Sequence, residues 1–367
     1  MPHRILHLIT TSGADGAQTQ LAQIARHMDG GRYQIQIAFL CRRGPAFDRT
    51  TVPVHDFSLG GHPDPLALLR IFKTIRRERI DLVHTHLVHA GVLGKLAARL
   101  AGNIPVVTTR HYASEGKEKS FLYRLEDRMT AGCEAVIAIS DSVRGHMIAR
   151  GIAPAGRIAV IPNGVDLDLF DPSRFARTAA LPEDSITIGS VGRLGIQKGH
   201  SILLDAAPAI LASFPRLRIE IVGEGPLRGN LEAQARRLGI EDRLHLRGSV
   251  PHDEMPAILS RWDLLVMPSR WEGFGIAAAE AMAMERAVVA SAVEGMAELI
   301  QDGATGILVQ AEQPEALAGA VIRLLDDDDR RRAIGQAGRR RVQELFSIGA
   351  ASAKLERLYD SILGLDR

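Results

Sequence analysis

The chain runs through the same alternation twice, and that repetition restricts it to a narrow set of folds. Short apolar runs of strand length are separated by stretches whose apolar residues recur at helical spacing. In the first half the strand candidates are residues 4–9, 33–40, 82–84, 106–109 and 135–139, with helical patterns at 18–28, 65–79 and 90–101. The segment Ile161-Pro162-Asn163-Gly164-Val165-Asp166 interrupts the pattern with Pro and Asn-Gly punctuation. It then restarts, with strands at 186–191, 218–222, 244–247, 264–267, 287–290 and 306–309 and helices at 201–214, 226–238, 255–260 and 276–283. Strands flanked by helices imply mostly parallel, doubly wound sheets. The expectation is an α/β protein of two Rossmann-like doubly wound domains facing across a deep cleft, at 1–165 and 166–347. Residues 348–367 form a C-terminal helix with Leu355, Leu358 and Ile362 at helical spacing, packing back on the protein.

Composition excludes several classes. At 367 residues there is chain enough for two cores. A net charge of +2 with only 4% aromatics lacks the basic, aromatic-laced stripe of a nucleic-acid binder. Cys41 and Cys133 lie far apart without metal-ligand spacing and read as free thiols in a reducing compartment. Met1-Pro2-His3-Arg4 runs straight into the first strand, so no signal peptide is expected. No apolar run approaches the about 20 residues of a membrane-spanning helix. The run Asp326-Asp327-Asp328-Asp329-Arg330-Arg331-Arg332 places acids before bases, as a solvated turn and helix start would.

The chemistry concentrates after the strand at 264–267. There Pro268-Ser269 leads into Arg270-Trp271-Glu272-Gly273-Phe274-Gly275-Ile276, and Glu280 follows Glu272 by eight residues inside an Ala-rich helix. Strand, Gly-containing turn and helix start make an anion site, with the amides of Phe274, Gly275 and Ile276 aimed at a phosphate. Glu272 then suits the hydroxyls of a polyhydroxylated group, and Glu280 a second set further along. Hydroxyls at both ends with phosphate between describe a nucleotide-sugar.

Other segments should converge on the same place, because ligands of α/β sheets sit at the carboxyl ends of strands. Gly192-Arg193-Leu194-Gly195-Ile196-Gln197-Lys198 follows a strand, and Arg193 and Lys198 are fixed cations suited to a diphosphate leaving group. In Gly223-Glu224-Gly225-Pro226 small residues let a base or ribose approach, and the backbone around Val250 could read a base edge. The loop Ser12-Gly13-Ala14-Asp15-Gly16 opens the first helix with donor amides near a sugar phosphate. Histidines gather at strand ends as His84, His86, His89 and His111, and each taken alone reads more readily as structural. No acid or thiol has ligand-like spacing to them, so no metal is expected. Asp166-Leu167-Asp168 spells D-x-D but lies in the hinge, where it reads as turn chemistry.

Taken together and in this order, these motifs resemble glycosyltransferase family 4, whose fold is GT-B. The resemblance covers nearly the whole chain. It rests on the Glu272/Glu280 pair, Arg193 with Lys198, Gly223–Gly225, Pro162-Asn163-Gly164-Val165-Asp166, and Glu298-Leu299-Ile300 with Gly303 and Gly306. The first domain departs from the family: its glycine loop reads Ser12-Gly13-Ala14-Asp15-Gly16, and Tyr112 follows Thr109-Arg110-His111. The resemblance implies a retaining hexosyltransferase that needs no metal or other cofactor. Its donor would be a nucleotide diphosphate sugar, UDP being favoured, and its acceptor would bind the first domain. Arg193 and Lys198 would neutralise the departing diphosphate, Glu272 would hold sugar hydroxyls, Glu280 the ribose, and His111 would lie by the reacting sugar. Gly13, Ala14, Gly16, Gly192, Gly223, Gly225, Val250, Phe274, Gly275 and Ile276 would complete the donor site.

Helix 66–79 mixes Leu66, Leu69, Phe72 and Ile75 with Arg70, Lys73, Arg76, Arg77 and Arg79, and 116–128 mixes Lys117, Lys119, Arg124 and Arg128 with Phe121 and Leu122. Such patches suit an anionic membrane surface and a lipid-linked acceptor; they also suit an ordinary amphipathic helix. The expected setting is cytoplasmic, peripheral on the inner face of the cytoplasmic membrane, in assembly of bacterial lipopolysaccharide, capsule or exopolysaccharide. Two other readings stay open: a nucleotide-sugar 2-epimerase on the same fold, and a non-catalytic nucleotide-sugar binder. An NAD oxidoreductase would need a glycine fingerprint that is missing.

Overall fold

A computed structural model of the chain describes residues 2–11, 16–41, 47, 50–59, 62–64, 66–111, 120–175 and 186–365. Its contacts fall into two compact units, Met1–Gly164 with Ile348–Arg367, and Val165–Ser347.

The first unit is built on β1 (His3–Thr11), α1 (Gly16–His27), β2 (Tyr33–Cys41), β3 (Val54–Asp56) and the small hairpin β4 (Ser58–Leu59) and β5 (His62–Pro63). Then come α2 (Ala67–Glu78), β6 (Leu82–His86), α3 (Val88–Leu100), β7 (Val106–Arg110), α4 (Phe121–Thr130), β8 (Ala135–Ala138), α5 (Asp141–Ala149) and β9 (Ile158–Val160). Seven strands form one sheet in the order β3-β2-β1-β6-β7-β8-β9, with every pair parallel. Central parallel strands are covered on both faces and therefore read as near-continuous apolar runs. In β1, Ile5, Leu6, Leu8 and Ile9 are all fully buried. His7, in their midst, is fully buried too.

The second unit runs β10 (Thr187–Val191), α6 (His200–Ser213), β11 (Arg218–Val222), α7 (Arg228–Leu238), β12 (Leu244–Gly248), α8 (Met255–Leu259), β13 (Leu264–Met267), α9 (Ile276–Ala283), β14 (Ala287–Ser291), α10 (Glu294–Leu299), β15 (Ile307–Val309), α11 (Pro314–Leu325) and α12 (Asp328–Leu345). The last helix, α13 (Ile348–Leu363), belongs to the first unit. The second sheet is parallel, in the order β12-β11-β10-β13-β14-β15. Its core includes Ile188, Ile219, Ile221, Leu264, Val266 and Val289. Gly189 is required there, because a Cβ would lie 2.0 Å from the ring of Trp262.

Two expectations are refined. Strands β3 and β9 were not anticipated; each has three residues and pairs on one side only, at a sheet edge. The acid-to-base run does start a helix: the Asp327 side chain accepts a hydrogen bond from the Arg330 amide, capping α12.

The strand order reverses between β1 and β6 in one sheet and between β10 and β13 in the other. Chains leaving the carboxyl ends on either side of such a point diverge and leave a crevice where ligands bind. The loops after β10 and β13, at the second of these points, carry Gly192, Arg193, Lys198, Glu272, Phe274 and Gly275.

Candidate functional site

In the second unit, the loops after β10 and β13 are tied together. The Arg270 amide donates to the Gln197 carbonyl at 2.8 Å, and Gln197 Nε2 to the Trp271 carbonyl at 3.2 Å. Gly199 adopts φ +62°, and a Cβ there would fall 2.0 Å from the Pro268 carbonyl oxygen. This approach brings Lys198 Nζ to 2.6 Å from Glu272 Oε2, which also accepts from Ser269 Oγ at 3.3 Å. Arg193 is exposed, and its guanidinium makes no ion pair among the described residues. Below the loop lies His200, its Nδ1 3.2 Å from Ser190 Oγ and its Nε2 3.3 Å from the Gly192 carbonyl. Burial lowers its pKa to about 4, so it is a neutral prop.

The turn into α9 has the anticipated form. Gly275 is its N-cap, with φ +92°, and its missing Cβ makes room for the Met296 thioether. Among the described residues, the amides of Phe274, Gly275 and Ile276 donate to no protein acceptor, as expected of a helix N-terminus open to an anion. Phe274 contributes only its backbone, because its ring is buried 5.3 Å from that of Phe346. Gly295 braces the turn from outside the motif: its amide donates to the Glu272 carbonyl, and a Cβ would collide with Gly273 and Phe274.

Glu280, one face further along α9, is 4% exposed and pairs with His252 Nε2 at 2.7 Å. His252 was not anticipated. It follows the Val250-Pro251 segment after β12, so Val250 and Glu280 are brought into one neighbourhood through it. The glycines of the 223–225 turn have a packing requirement that sequence reasoning did not foresee. A Cβ on Gly223 would meet the Gly192 carbonyl oxygen at 2.1 Å, and one on Gly225 the Leu194 carbonyl oxygen at 2.4 Å. They let two loops pack backbone to backbone, sealed by Leu194 N–H to the Glu224 carbonyl. Asp166 is turn chemistry: its carboxylate accepts from the Asp168 and Leu169 amides at 3.1 Å.

In the first unit, His7, His84 and His86 come together on one face, with His7 and His84 as cross-strand partners. His111, just past β7, joins through His86. Arg110, beside it, is held by Glu126 and by Asp127 at 2.5 Å. His89 does not join the cluster; it is exposed on α3. Sequence reasoning missed His7, although a lone polar residue within Ile5–Ile9 was a visible signal. It also missed Tyr359, whose hydroxyl reaches His84 at 2.5 Å from a helix hundreds of residues away. Burial lowers the pKa of His7 to about 3 and of His111 to about 4, and keeps His84 and His86 well below their ordinary value. Gly16 opens α1. Gly13, Ala14, Tyr112, Lys117 and Lys119 lie outside the described residues.

Ligating nitrogens of His7, His84 and His86 lie within 4.8 Å of one another. The rings of His84 and His86, however, stack at 4.3 Å and 26°. In-plane lone pairs on stacked rings run side by side and do not converge on one ion, so the set fits a metal poorly.

Comparison with known proteins bears on the family and the fold. Residues 14–169 match Glycosyltransferase Family 4, and residues 173–341 match Glycosyl transferases group 1. Alpha-D-kanosaminyltransferase of Streptomyces kanamyceticus is 31% identical over 316 residues, covering 81% of each chain. UDP-Gal:alpha-D-GlcNAc-diphosphoundecaprenol alpha-1,3-galactosyltransferase of Escherichia coli is 30% identical over 315 residues, covering 80% of this chain and 81% of that one. The crystal structure of Anabaena Alr3699/HepE in complex with UDP and glucose superposes with a TM-score of 0.85 at 23% identity, over 97% of this chain and 99% of that one. Two doubly wound units, matches to both halves and relatives similar over most of their length lead to one conclusion: the chain belongs to glycosyltransferase family 4 and has the GT-B fold.

Proposed function

We propose that the protein is a retaining, metal-independent hexosyltransferase that takes its sugar from a nucleotide diphosphate sugar, with UDP the favoured nucleotide. The observation that carries this reading is the Lys198–Glu272 pair at 2.6 Å beside the open amides of Phe274, Gly275 and Ile276. It sets a cation, a hydroxyl-binding carboxylate and an anion-binding helix end side by side. Arg193 and Lys198 stabilise the charge that develops on the leaving diphosphate, the role a metal fills elsewhere. Glu272 holds sugar hydroxyls, Glu280 the ribose, and His111 a group on the reacting sugar.

In the step itself, the bond from the anomeric carbon to the donor phosphate oxygen breaks. A bond to the acceptor hydroxyl oxygen forms on the same face, and the acceptor proton passes to the departing phosphate. A glycosyl-enzyme adduct trapped by mass spectrometry would overturn the front-face route.

For the acceptor we favour a lipid-linked or cell-envelope glycan. The E. coli relative is named for a diphosphoundecaprenol acceptor. In this chain α2 buries Ala67, Ile71 and Ile75 and leaves Leu66 and Leu69 more than half exposed beside Arg70, Lys73, Arg76 and Arg77. On α4, Phe121 is 73% exposed, with Arg124 and Arg128 exposed on the same helix. Exposed apolar side chains ringed by cations suit an anionic bilayer surface. No helix among the described residues is long and apolar enough to cross a membrane, so contact would be peripheral.

The test is thermal unfolding with UDP, GDP, ADP, dTDP and their common sugars, followed by NMR of the product anomer from the donor that binds. Stabilisation by one nucleotide, release of its diphosphate and retention of the donor's anomeric configuration are expected. Recovery of an epimerised nucleotide-sugar, or an inverted product, would sink the proposal.

A further inference from the structure

Behind His111 runs a line of hydrogen bonds for which the donor chemistry has no use. His111 Nε2 lies 3.1 Å from His86 Nδ1, and His86 Nε2 lies 3.0 Å from His7 Nδ1. His7 Nε2 is 3.3 Å from the Tyr359 hydroxyl, which is 2.5 Å from His84 Nδ1. His84 Nε2 closes the line 2.7 Å from the Thr109 hydroxyl. Every member behind His111 is buried, and every ring nitrogen of His7, His84 and His86 is engaged.

Proton counting restricts such a line. Desolvation keeps all four imidazoles neutral at physiological pH, so each has one N–H and one lone pair. Because a hydroxyl oxygen can accept twice, such a line has three arrangements: one direction, its reverse, and one in which Tyr359 accepts from both His84 and His7 and leaves its own fully buried O–H without an acceptor. In the first, Thr109 donates to His84, His84 to Tyr359, Tyr359 to His7, His7 to His86, and His86 Nδ1–H to His111 Nε2. His111 then carries its proton on Nδ1. In the reverse, the last donor is the Thr109 hydroxyl. Thr109 is 7% exposed and has no side-chain partner but His84 among the described residues. A buried donor without an acceptor is costly, whereas His111 is half-buried and can turn its spare donor to solvent or ligand. Burial therefore favours the first arrangement.

We propose that this relay fixes His111 as the neutral Nδ1–H tautomer, making it a hydrogen-bond donor and not a base, with His86 its immediate positioning residue and Tyr359 the link that sets the direction. Which nitrogen of an imidazole is protonated is set by the bond the other nitrogen makes. The relevance to catalysis rests on the reading of His111 at the reacting sugar; the tautomer does not. A donor at that point can hold a sugar or leaving-group oxygen but cannot receive the acceptor's proton, which accords with passage of that proton to the departing phosphate.

Long-range proton–nitrogen NMR on the full chain labelled with 15N-histidine, assigned by difference with His111→Gln, decides first and needs no relay variant. Expected are a protonated Nδ1 and an unprotonated Nε2 for His111 near pH 7.5. An Nε2–H form or an even mixture overturns the proposal, as does zinc held one per chain whose chelation moves the His7, His84 and His86 signals. Tyr359→Phe should move His111 toward the Nε2–H form and lower kcat roughly tenfold, about one hydrogen bond's worth of orientation, with donor KM nearly unchanged. An unmoved tautomer in that variant overturns it too. His86→Gln keeps an amide donor and should retain more activity than His86→Leu; equal loss in both counts against the relay. Nucleotide-induced stabilisation, which reports on the second unit, should persist in all of them. If the tautomer is as stated and His111→Ala still transfers sugar at full rate, the relay stands and the reading of His111 at the sugar fails.

Discussion

Lys198 Nζ lies 2.6 Å from Glu272 Oε2 although 74 positions separate the two residues. The cation proposed for the leaving group and the carboxylate proposed for the sugar are thus held by each other. Each is mostly buried, at 19% and 11% side-chain exposure, so the pair is screened less by solvent than an open surface bridge. Lys198→Ala should lower kcat by roughly two to three orders of magnitude, as loss of one preorganised charge-stabilising group does. Glu272→Ala should cost less in kcat and more in sugar selectivity. Because the residues touch, the double variant should fall short of the product of the two losses. Release of nucleoside diphosphate, measured across the cycle, is the check; strict multiplicativity would mean that the pair does not act as a unit.

Glu280 offers a separate handle on the nucleotide. Its carboxylate is 4% exposed and meets His252 at 2.7 Å. Bonds to an ionised group are worth about 1.5–3 kcal/mol, so Glu280→Ala should weaken UDP binding by roughly ten- to a hundredfold. Calorimetric titration with UDP reads this directly. Unchanged affinity would remove Glu280 from the ribose.

The histidine cluster makes stability depend on pH in a known direction. Burial lowers His7 from 6.5 to about 3 and His111 to about 4 in the folded chain, and pushes His84 and His86 the same way. Between the folded and unfolded values the unfolded chain binds more protons, so stability falls as pH falls. It should be fully present above about pH 6.5 and be lost on acidification toward pH 4, at up to roughly 1.4 kcal/mol per pH unit for each histidine. Melting temperatures from pH 8 to pH 4 test this. His7→Phe, if it folds, should flatten the slope, and an unaltered slope would place the acid sensitivity elsewhere.

The exposed leucines of α2 separate a membrane role from an ordinary surface. Replacing Leu66 and Leu69 by Ser removes apolar surface that makes little of the core, so the melting temperature should hold. Flotation with anionic vesicles should weaken severalfold at low salt, since each buried methylene is worth about 0.8 kcal/mol. Equal flotation of variant and parent, or none by the parent, would count against peripheral contact.

Much of this architecture could be read ahead of the coordinates, for a local reason. Arg218–Val222, Leu264–Met267 and Ile276–Ala283 have the boundaries expected from sequence, because each is an apolar run bounded by glycine, proline or charge. That Lys198 and Glu272 meet could be anticipated because each sits within a few residues of the turn that places it. Val54–Asp56 and Ile158–Val160 were not, since an edge strand of three residues needs little pattern. His252 was missed because its partner is on another strand–helix connection. The Tyr359–His7 contact spans 352 positions, and nothing near either residue announces it. The glycines at 223 and 225 also accommodate the backbone of a neighbouring loop, a contact between separate turns that no local pattern shows.

The return of α13 to the first unit has a consequence for the order of synthesis. Domains tend to fold as they emerge from the ribosome, N-terminal first. Here Met1–Gly164 emerges without Ile348–Arg367, and so without the Tyr359 ring that covers its buried imidazoles. The second unit, Val165–Ser347, is contiguous and can finish first. The half of the chain that is translated first is therefore the half that matures last, and a ribosome that stalls short of α13 would leave a completed second unit attached to a first unit with its polar interior uncovered.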